Sequence, residues 1–324
     1  MANAILMRET GGPEVLRLEE IVVPSPAEGE VQVRHTAIGL NFIDVYDRTG
    51  LYPVTLPAVP GREAAGVVTM VGRKVKGLRV GARVAYALST PGAYTELRNV
   101  SAARVVKLPK GVKDETAAAI MLKGLTAHYL LRRTYRVKKG DWVLVHAAAG
   151  GVGLLLTQWA RALGARVIGV VGSAAKAALA RQHGCHHALL SGQDDIVASV
   201  RALTKGAGVN VVYDSVGKDT FFESLDSLRP LGMMVTYGNA SGPPPAISPL
   251  ELAKRGSLFL TRPSLFAYVA APADYAAAAR ELLGMVVKKK LRVRIGQRYA
   301  LADAAQAHRD LEARRTTGST VLVP

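Results

Sequence analysis

The residues whose types and spacing best suit chemistry lie in one short stretch. The apolar run Trp142-Val143-Leu144-Val145-His146 leads into Ala147-Ala148-Ala149-Gly150-Gly151-Val152-Gly153 and then into an apolar helical pattern. A strand that turns tightly into a helix leaves free N–H groups and the positive end of the helix dipole at the turn, which together attract an anion. Gly150 would let backbone approach a pyrophosphate, and Gly153 would let the helix pack on the strand, as a dinucleotide site requires. Ala148 stands where that pattern asks for its first glycine. The strand–turn–helix context therefore carries the reading, against the alternative of a glycine-rich turn in a non-binding α/β protein.

A site that prefers NAD places Asp or Glu about 20 residues further on, at the end of the second strand, to accept from the ribose 2′-hydroxyl. Here that strand ends in Val170-Val171-Gly172-Ser173, with Lys176 following. A hydroxyl, a bare glycine backbone and a cation suit a 2′-phosphate, which an acidic residue would repel. NADPH is therefore the expected cofactor. A solvated first-turn lysine is common, and the coincidence of Lys176 with the missing acid is what gives it weight.

Other chemistries lack their residues. No Gly-x-Ser-x-Gly, no Gly-Lys-Ser/Thr phosphate loop and no His-Glu-x-x-His occurs, which leaves hydrolase and kinase readings unsupported. The single cysteine, Cys185, excludes an intrachain disulfide and a four-cysteine zinc site, and fits a reducing cytoplasm. His183, Cys185, His186 and His187 crowd together, but adjacent His186 and His187 would point to opposite faces of a strand, so a plain helix-to-strand junction is expected. The 42 Lys and Arg against 25 Asp and Glu give a net charge of +17, which would draw nucleic acid, an anionic membrane or a phosphorylated ligand. These charges are spread along the chain and aromatics are only 6%, so a generally basic surface is expected ahead of an RNA site. The dense basic run 288–294 alternates in a way that suits an exposed edge strand. Residues 1–8 lack the pattern of a signal peptide, and the apolar stretch 142–160 is broken by glycines, so no membrane segment is expected.

These groups need elements to hold them. At 324 residues the chain exceeds the usual ~100–200 of one domain, and two are expected. Residues 1 to about 122 read as short strands with turns, as in the alternation of 30–35 and the β-branched run 65–72. From 141 onward strands (142–146, 167–171, 187–190, 209–213, 233–237) alternate with helices (152–163, 174–183, 195–203, 219–228). Such βαβα alternation predicts a parallel, doubly wound sheet. The tail 272–324 holds an alanine-rich helix, the basic strand, a helix over 301–312 and a closing strand over 319–323, and is expected to return to the first domain.

The chain resembles the zinc-free quinone oxidoreductase (zeta-crystallin-like) branch of the medium-chain dehydrogenase/reductase superfamily over essentially its whole length. The resemblance rests on Gly39-Leu40-Asn41-Phe42-Ile43-Asp44, Gly50-Leu51-Tyr52-Pro53, Pro60-Gly61-Arg62-Glu63-Ala64-Ala65-Gly66, Leu122-Lys123-Gly124-Leu125-Thr126-Ala127, Ala147 to Gly153, Tyr213-Asp214-Ser215-Val216-Gly217 and Thr261-Arg262-Pro263-Ser264-Leu265. It implies an α/β protein with a GroES-like β-rich catalytic domain (1–123), a Rossmann NADPH-binding domain (124–266) and a tail (267–324) that rejoins the first. Zinc-bearing relatives keep a Cys near the position of Asn41 and a His where this chain reads Gly61-Arg62-Glu63, so no metal is expected.

The same resemblance nominates site residues. Asn41, Phe42, Asp44 and Tyr46 match the segment under the nicotinamide ribose, with Thr126 and Tyr129 opposite, and Tyr52 matches the acceptor side. Gly150, Gly151 and Val152 would cradle the pyrophosphate, and Gly172, Ser173 and Lys176 the 2′-phosphate. Tyr237, Gly238 and Asn239 would follow the fifth strand; Pro263, Ser264 and Leu265 would meet the carboxamide; Arg314 would reach the adenosine phosphate. Ser191 stands where relatives often place a Tyr beside the adenine. Core packing competes with a site role for each aromatic, evenly so for Phe42, whereas Tyr46 and Tyr52 lie in a polar, turn-rich segment. Asn41, Tyr46 and Tyr52 are the catalytic candidates, the tyrosines as donors to a developing oxyanion.

The implied activity is NADPH-dependent reduction of small or aromatic quinones in the cytoplasm by a homodimer. A quinone takes up charge in its own conjugation, so one hydrogen-bond donor would suffice without a Lewis acid. A reductase of α,β-unsaturated ketones or enoyl thioesters is the nearest alternative, and weak AU-rich RNA binding is a further one.

Overall fold

The computed structural model describes all 324 residues, which fall into two units. The first comprises 1–125, 269–289 and 293–324. Its centre is the eleven-residue strand Glu30–Leu40, buried along most of its length and long enough to pair with three neighbours. Antiparallel partners are Glu63–Val71, Leu97–Ser101 and, from the far end of the chain, Ser319–Val323, with Thr320 opposite Leu40. Ile295–Ala300, Arg83–Ala87 and Val106–Lys107 complete a seven-stranded sheet. Ile5, Ile38, Leu40, Tyr86, Tyr94 and Leu322 form the main core, and Val31, Val33, Val68 and Val84 a second one.

Two segments of this unit differ from the sequence expectation. The basic run 288–294 is no strand: Lys288 closes the helix Pro272–Val287, and pairing begins only at Ile295. Four alternating residues without a partner in register do not make a strand. The segment after Asn41 is not a turn but the helix Phe42–Thr49, which ends on Gly50 in the left-handed region.

The second unit, 126–268 with 290–292, is a six-stranded parallel sheet. Its strands are Trp142–His146, Arg166–Val171, His187–Leu190, Val209–Asp214, Leu228–Thr236 and Phe259–Thr261, here the first to sixth. They stand in the order 3-2-1-4-5-6, the doubly wound arrangement whose ligand crevice lies beyond the strand ends where the order reverses. Continuous burial of 143–145 and 211–214 is what a parallel sheet covered on both faces requires.

Candidate active site

In the second unit the turn after the first strand has the shape of an anion cradle. Ala147 adopts φ +51°, its carbonyl accepts from Gly150 N at 2.9 Å, and the helix Gly151–Ala162 starts at once. The first N–H groups of that helix have no intrahelical partner and face the crevice end of the sheet. A Cβ on Gly153 would stand 2.3 Å from Ala147 O and 2.8 Å from Ala148 Cα, so only glycine permits this close crossing. Ala148 in place of the first glycine is accommodated by the neighbouring strand: a Cβ on Gly169 would lie 2.7 Å from the Ala148 methyl. The missing glycine of the turn has its counterpart across the ladder.

At the end of the second strand Gly172 and Ser173 are exposed, and Ser173 Oγ caps the next helix by accepting from Lys176 N at 3.3 Å. Ser191 N donates to Val171 O, which brings its hydroxyl within 4.0 Å of where a Gly172 Cβ would be. The nearby acid Asp194 is tied to Leu190 N at 2.6 Å. Gly172, Ser173, Lys176 and Ser191 thus stand together at one exposed strand end.

The ends of the first and fourth strands are joined by a network that sequence reasoning missed. The buried Asp214 carboxylate accepts from Val216 N (2.7 Å), Gly217 N (3.1 Å), Thr220 Oγ1 (2.7 Å) and Ser224 Oγ (2.9 Å). Ser224 Oγ also lies 3.0 Å from His146 Nε2. Because the serine proton is spent on Asp214, His146 must donate from Nε2, and burial holds its imidazole below the usual range. This Ser–His–Asp trio is buried and has its proton pointing the wrong way for a nucleophile; it braces the turn after the first strand against the one after the fourth. Tyr237 N then donates to Asp214 O (2.7 Å), and Gly238 crosses so close that a Cβ would meet Ser215 O at 2.5 Å. Asn239 follows directly, half-buried Pro263 and exposed Ser264 precede the short helix Leu265–Tyr268, and Leu265 is buried. Thr126 and Tyr129 are both buried, Tyr129 stacked on Tyr268 at 4.6 Å.

In the first unit Asn41 caps the helix Phe42–Thr49, its own N–H donating to Asp44 Oδ2 at 2.9 Å. Asp44 is fully buried, accepts a further bond from the Tyr94 hydroxyl (3.0 Å), and is pushed up to about 7 by burial. The same Tyr94 hydroxyl meets His308 Nε2 at 3.1 Å. Asn41 Nδ2 donates to Glu63 Oε1 at 2.8 Å, and Lys123 Nζ reaches that same oxygen at 2.7 Å. Tyr46 is buried on the helix, with the half-buried rings of Phe42 and Tyr52 5.6 and 5.2 Å away. Arg314 is exposed, just beyond the helix Ala304–Glu312. Within the first unit, Phe42, Tyr46 and Tyr52 thus form one aromatic group on and just after the helix that Asn41 caps. Glu63, Lys123, Asp214 and Ser224 went unnoticed as functional residues, because their partners are remote in sequence.

His186 Nδ1 accepts from Val167 N and His183 Nδ1 donates to Leu179 O of its own helix, so this group is spent on the helix-to-strand junction, while burial pushes the Cys185 thiol up to about 12. No helix is long and apolar enough to cross a membrane.

Comparison with known proteins agrees with this architecture. Residues 27–110 match the family described as Alcohol dehydrogenase GroES-like domain, and 151–283 the one described as Zinc-binding dehydrogenase. The chain is 50% identical to a Quinone oxidoreductase of Pseudomonas aeruginosa, over 100% of both. It is 45% identical to a 2-haloacrylate reductase of a Burkholderia species, over 100% of this chain and 99% of the relative. The crystal structure of Escherichia coli quinone oxidoreductase complexed with NADPH superposes with a TM-score of 0.98 at 46% identity, covering 100% of each chain. With that identity running along the full length, and with both halves of the fold matched, the chain belongs to the quinone oxidoreductases of the medium-chain dehydrogenase/reductase superfamily.

Proposed function

We propose that this chain is an NADPH-dependent quinone reductase. The observation that carries the reading is the exposed strand end of Gly172, Ser173, Lys176 and Ser191, beside a cradle whose Gly153 admits no side chain. These residues fit the cofactor: Gly150, Gly151 and Val152 offer backbone N–H to the pyrophosphate, and Ser173 and Lys176 offer a hydroxyl and a cation to the 2′-phosphate. NADPH, when bound, supplies the hydride. The chain's share is to bind, to orient and to exclude water, with Asn41, Phe42 and Tyr46 at the nicotinamide riboside and Tyr52 toward the acceptor. Thr126, Tyr129, Tyr237, Gly238, Asn239, Pro263, Ser264 and Leu265 line the remaining course of the cofactor, and Arg314 meets its adenosine phosphate. A tyrosine hydroxyl at position 46 or 52 donates a hydrogen bond to the oxygen on which charge develops. Asp44, wholly enclosed, supports Asn41. The groups at the positions of the zinc ligands are amide and guanidinium, so the reaction runs without a metal.

The enzyme works as a cytoplasmic homodimer. The sixth strand, Phe259–Thr261, ends the sheet with Phe259 56% and Leu260 36% exposed, an apolar edge suited to a second copy. Identity with the 2-haloacrylate reductase favours electron-poor alkenes as second substrates. The net charge of +17 supports weak, salt-sensitive RNA retention beside catalysis.

The test is NADPH oxidation at 340 nm with benzoquinone, naphthoquinone and phenanthrenequinone. It is repeated with NADH, with a chelator, and with crotonaldehyde, 2-chloroacrylate and an enoyl thioester. Chelator-resistant quinone turnover selective for NADPH is expected. Turnover of alkenes alone would assign the second reading instead.

A further inference from the structure

Glu63 and Lys123 form a buried assembly around the Asn41 side chain. The Glu63 carboxylate is wholly enclosed and receives three donors: Asn41 Nδ2 at 2.8 Å and Lys123 Nζ at 2.7 Å on Oε1, and Leu122 N at 2.6 Å on Oε2. The last of these is a cap, since Leu122 lies in the first turn of the helix Met121–Tyr129. Lys123 is 5% exposed, so carboxylate and ammonium are both out of water and each needs the other. The packing is built for this: a Cβ on Gly39 would stand 2.3 Å from Glu63 Oε1, so the carboxylate fits only over bare backbone.

The consequence falls on Asn41. Its Nδ2 protons are directed at Glu63 Oε1 and, at 3.4 Å, at Gly39 O. The amide oxygen holds whatever hydrogen-bonding capacity the side chain has left, so Asn41 meets a ligand as an acceptor and never as a donor. We infer that Lys123 and Glu63 are positioning residues that hold the Asn41 amide with its oxygen toward the nicotinamide riboside, selecting a ligand that donates there through a ribose hydroxyl or the carboxamide N–H₂. This rests on the reading that residues 41–52 meet that half of NADPH.

A glutamine at 63 cannot imitate the carboxylate, because its amide nitrogen would face a donor at either oxygen position. The Asn41 amide then turns over or loses its anchor. The experiment is equilibrium binding of NADPH and of adenosine 2′,5′-bisphosphate, which lacks the nicotinamide riboside, to wild type, E63Q, K123R and E63Q/K123M. The double variant removes both charges together and so avoids a lone buried ion. E63Q and E63Q/K123M are expected to bind NADPH about tenfold more weakly while holding the bisphosphate as wild type does, and K123R to bind both normally. Equal weakening of both ligands, or unchanged NADPH affinity in the folded variants, would overturn the positioning role. A wild type that holds NADPH no more tightly than the bisphosphate would instead overturn the underlying reading of residues 41–52.

Discussion

The guanidinium of Arg62 closes on the carboxylate of Asp47 with three hydrogen bonds of 2.7 to 3.0 Å, both side chains buried. Asp47 lies on the helix that Asn41 caps and Arg62 immediately precedes the strand Glu63–Val71, so this pair fastens the candidate site to the sheet. Burial pushes the Asp47 carboxyl up, and Arg62 pulls it back toward the charged form.

Removing one partner leaves the other charged in a dry place. The variant R62M is therefore expected to lose about 3–5 kcal/mol in urea unfolding, whereas R62M/D47L, which removes both charges, recovers most of that. Equal losses in the single and double variants would mean that packing, not charge, is what the pair supplies.

How much of this was legible in the sequence varies with the physical origin of each element. The strands Trp142–His146, His187–Leu190 and Ser319–Val323 coincide with the sequence reading, because short apolar runs bounded by turn residues declare themselves locally. The helix Phe42–Thr49 does not, since it buries Asp44, Asp47 and Arg48 and so inverts the usual polarity pattern. Its stability comes from partners more than ten residues away, such as Arg62, Tyr94 and Glu312. The same holds for Glu63 with Lys123, and for Asp214 with Ser224 and His146: each residue is unremarkable alone, and only the fold brings the pairs together. The alternation within 288–294 misleads for the opposite reason, being a local pattern with no strand in register to receive it.

Two buried groups in the first unit set opposing pH dependences. Burial pushes the His35 imidazole down to about 4, so the stability it contributes is complete above 6.5 and is lost as pH falls toward 4. Asp44, pushed up to about 7, keeps a proton that the unfolded chain releases above 3.8; its contribution is complete at low pH and is lost as pH rises through 7. Between pH 4 and 6.5 the two slopes offset each other. In D44N, whose amide oxygen still accepts from Asn41 N and Tyr94, stability is expected to rise with pH more steeply than in wild type, by up to about 1.4 kcal/mol per pH unit. Urea midpoints at pH 4.5, 5.5 and 6.5 measure this, and identical slopes would mean that Asp44 is ionised throughout.

The two glycines at the cofactor cradle should behave differently. In G153A the new methyl meets backbone at 2.3 Å, so the turn must shift, and at least a tenfold loss of NADPH affinity (about 1.4 kcal/mol) with a lower Tm is expected. In G172A the methyl meets nothing nearer than Ser191 Oγ at 4.0 Å, so the Tm is expected to stay put. Any affinity that G172A loses for NADPH but not for NADH then reports crowding of the 2′-phosphate itself. A large drop in Tm for G172A would contradict the open space at that strand end.

Under the proposed function Lys176 is expected to carry the coenzyme preference. Its backbone N–H is already engaged by Ser173 Oγ, so K176A keeps the helix cap while deleting the cation. A charged hydrogen bond contributes about 1.5–3 kcal/mol, so K176A is expected to bind NADPH at least tenfold more weakly with NADH affinity unchanged. Salt supplies an independent check, since a pairing of lysine with phosphate at an exposed strand end is screened. NADPH affinity of the wild type should therefore fall with ionic strength more steeply than that of K176A. Parallel loss of both coenzymes would show that Lys176 acts on the common pyrophosphate or on the fold, and the preference would then have to come from Ser173 and the bare backbone of Gly172.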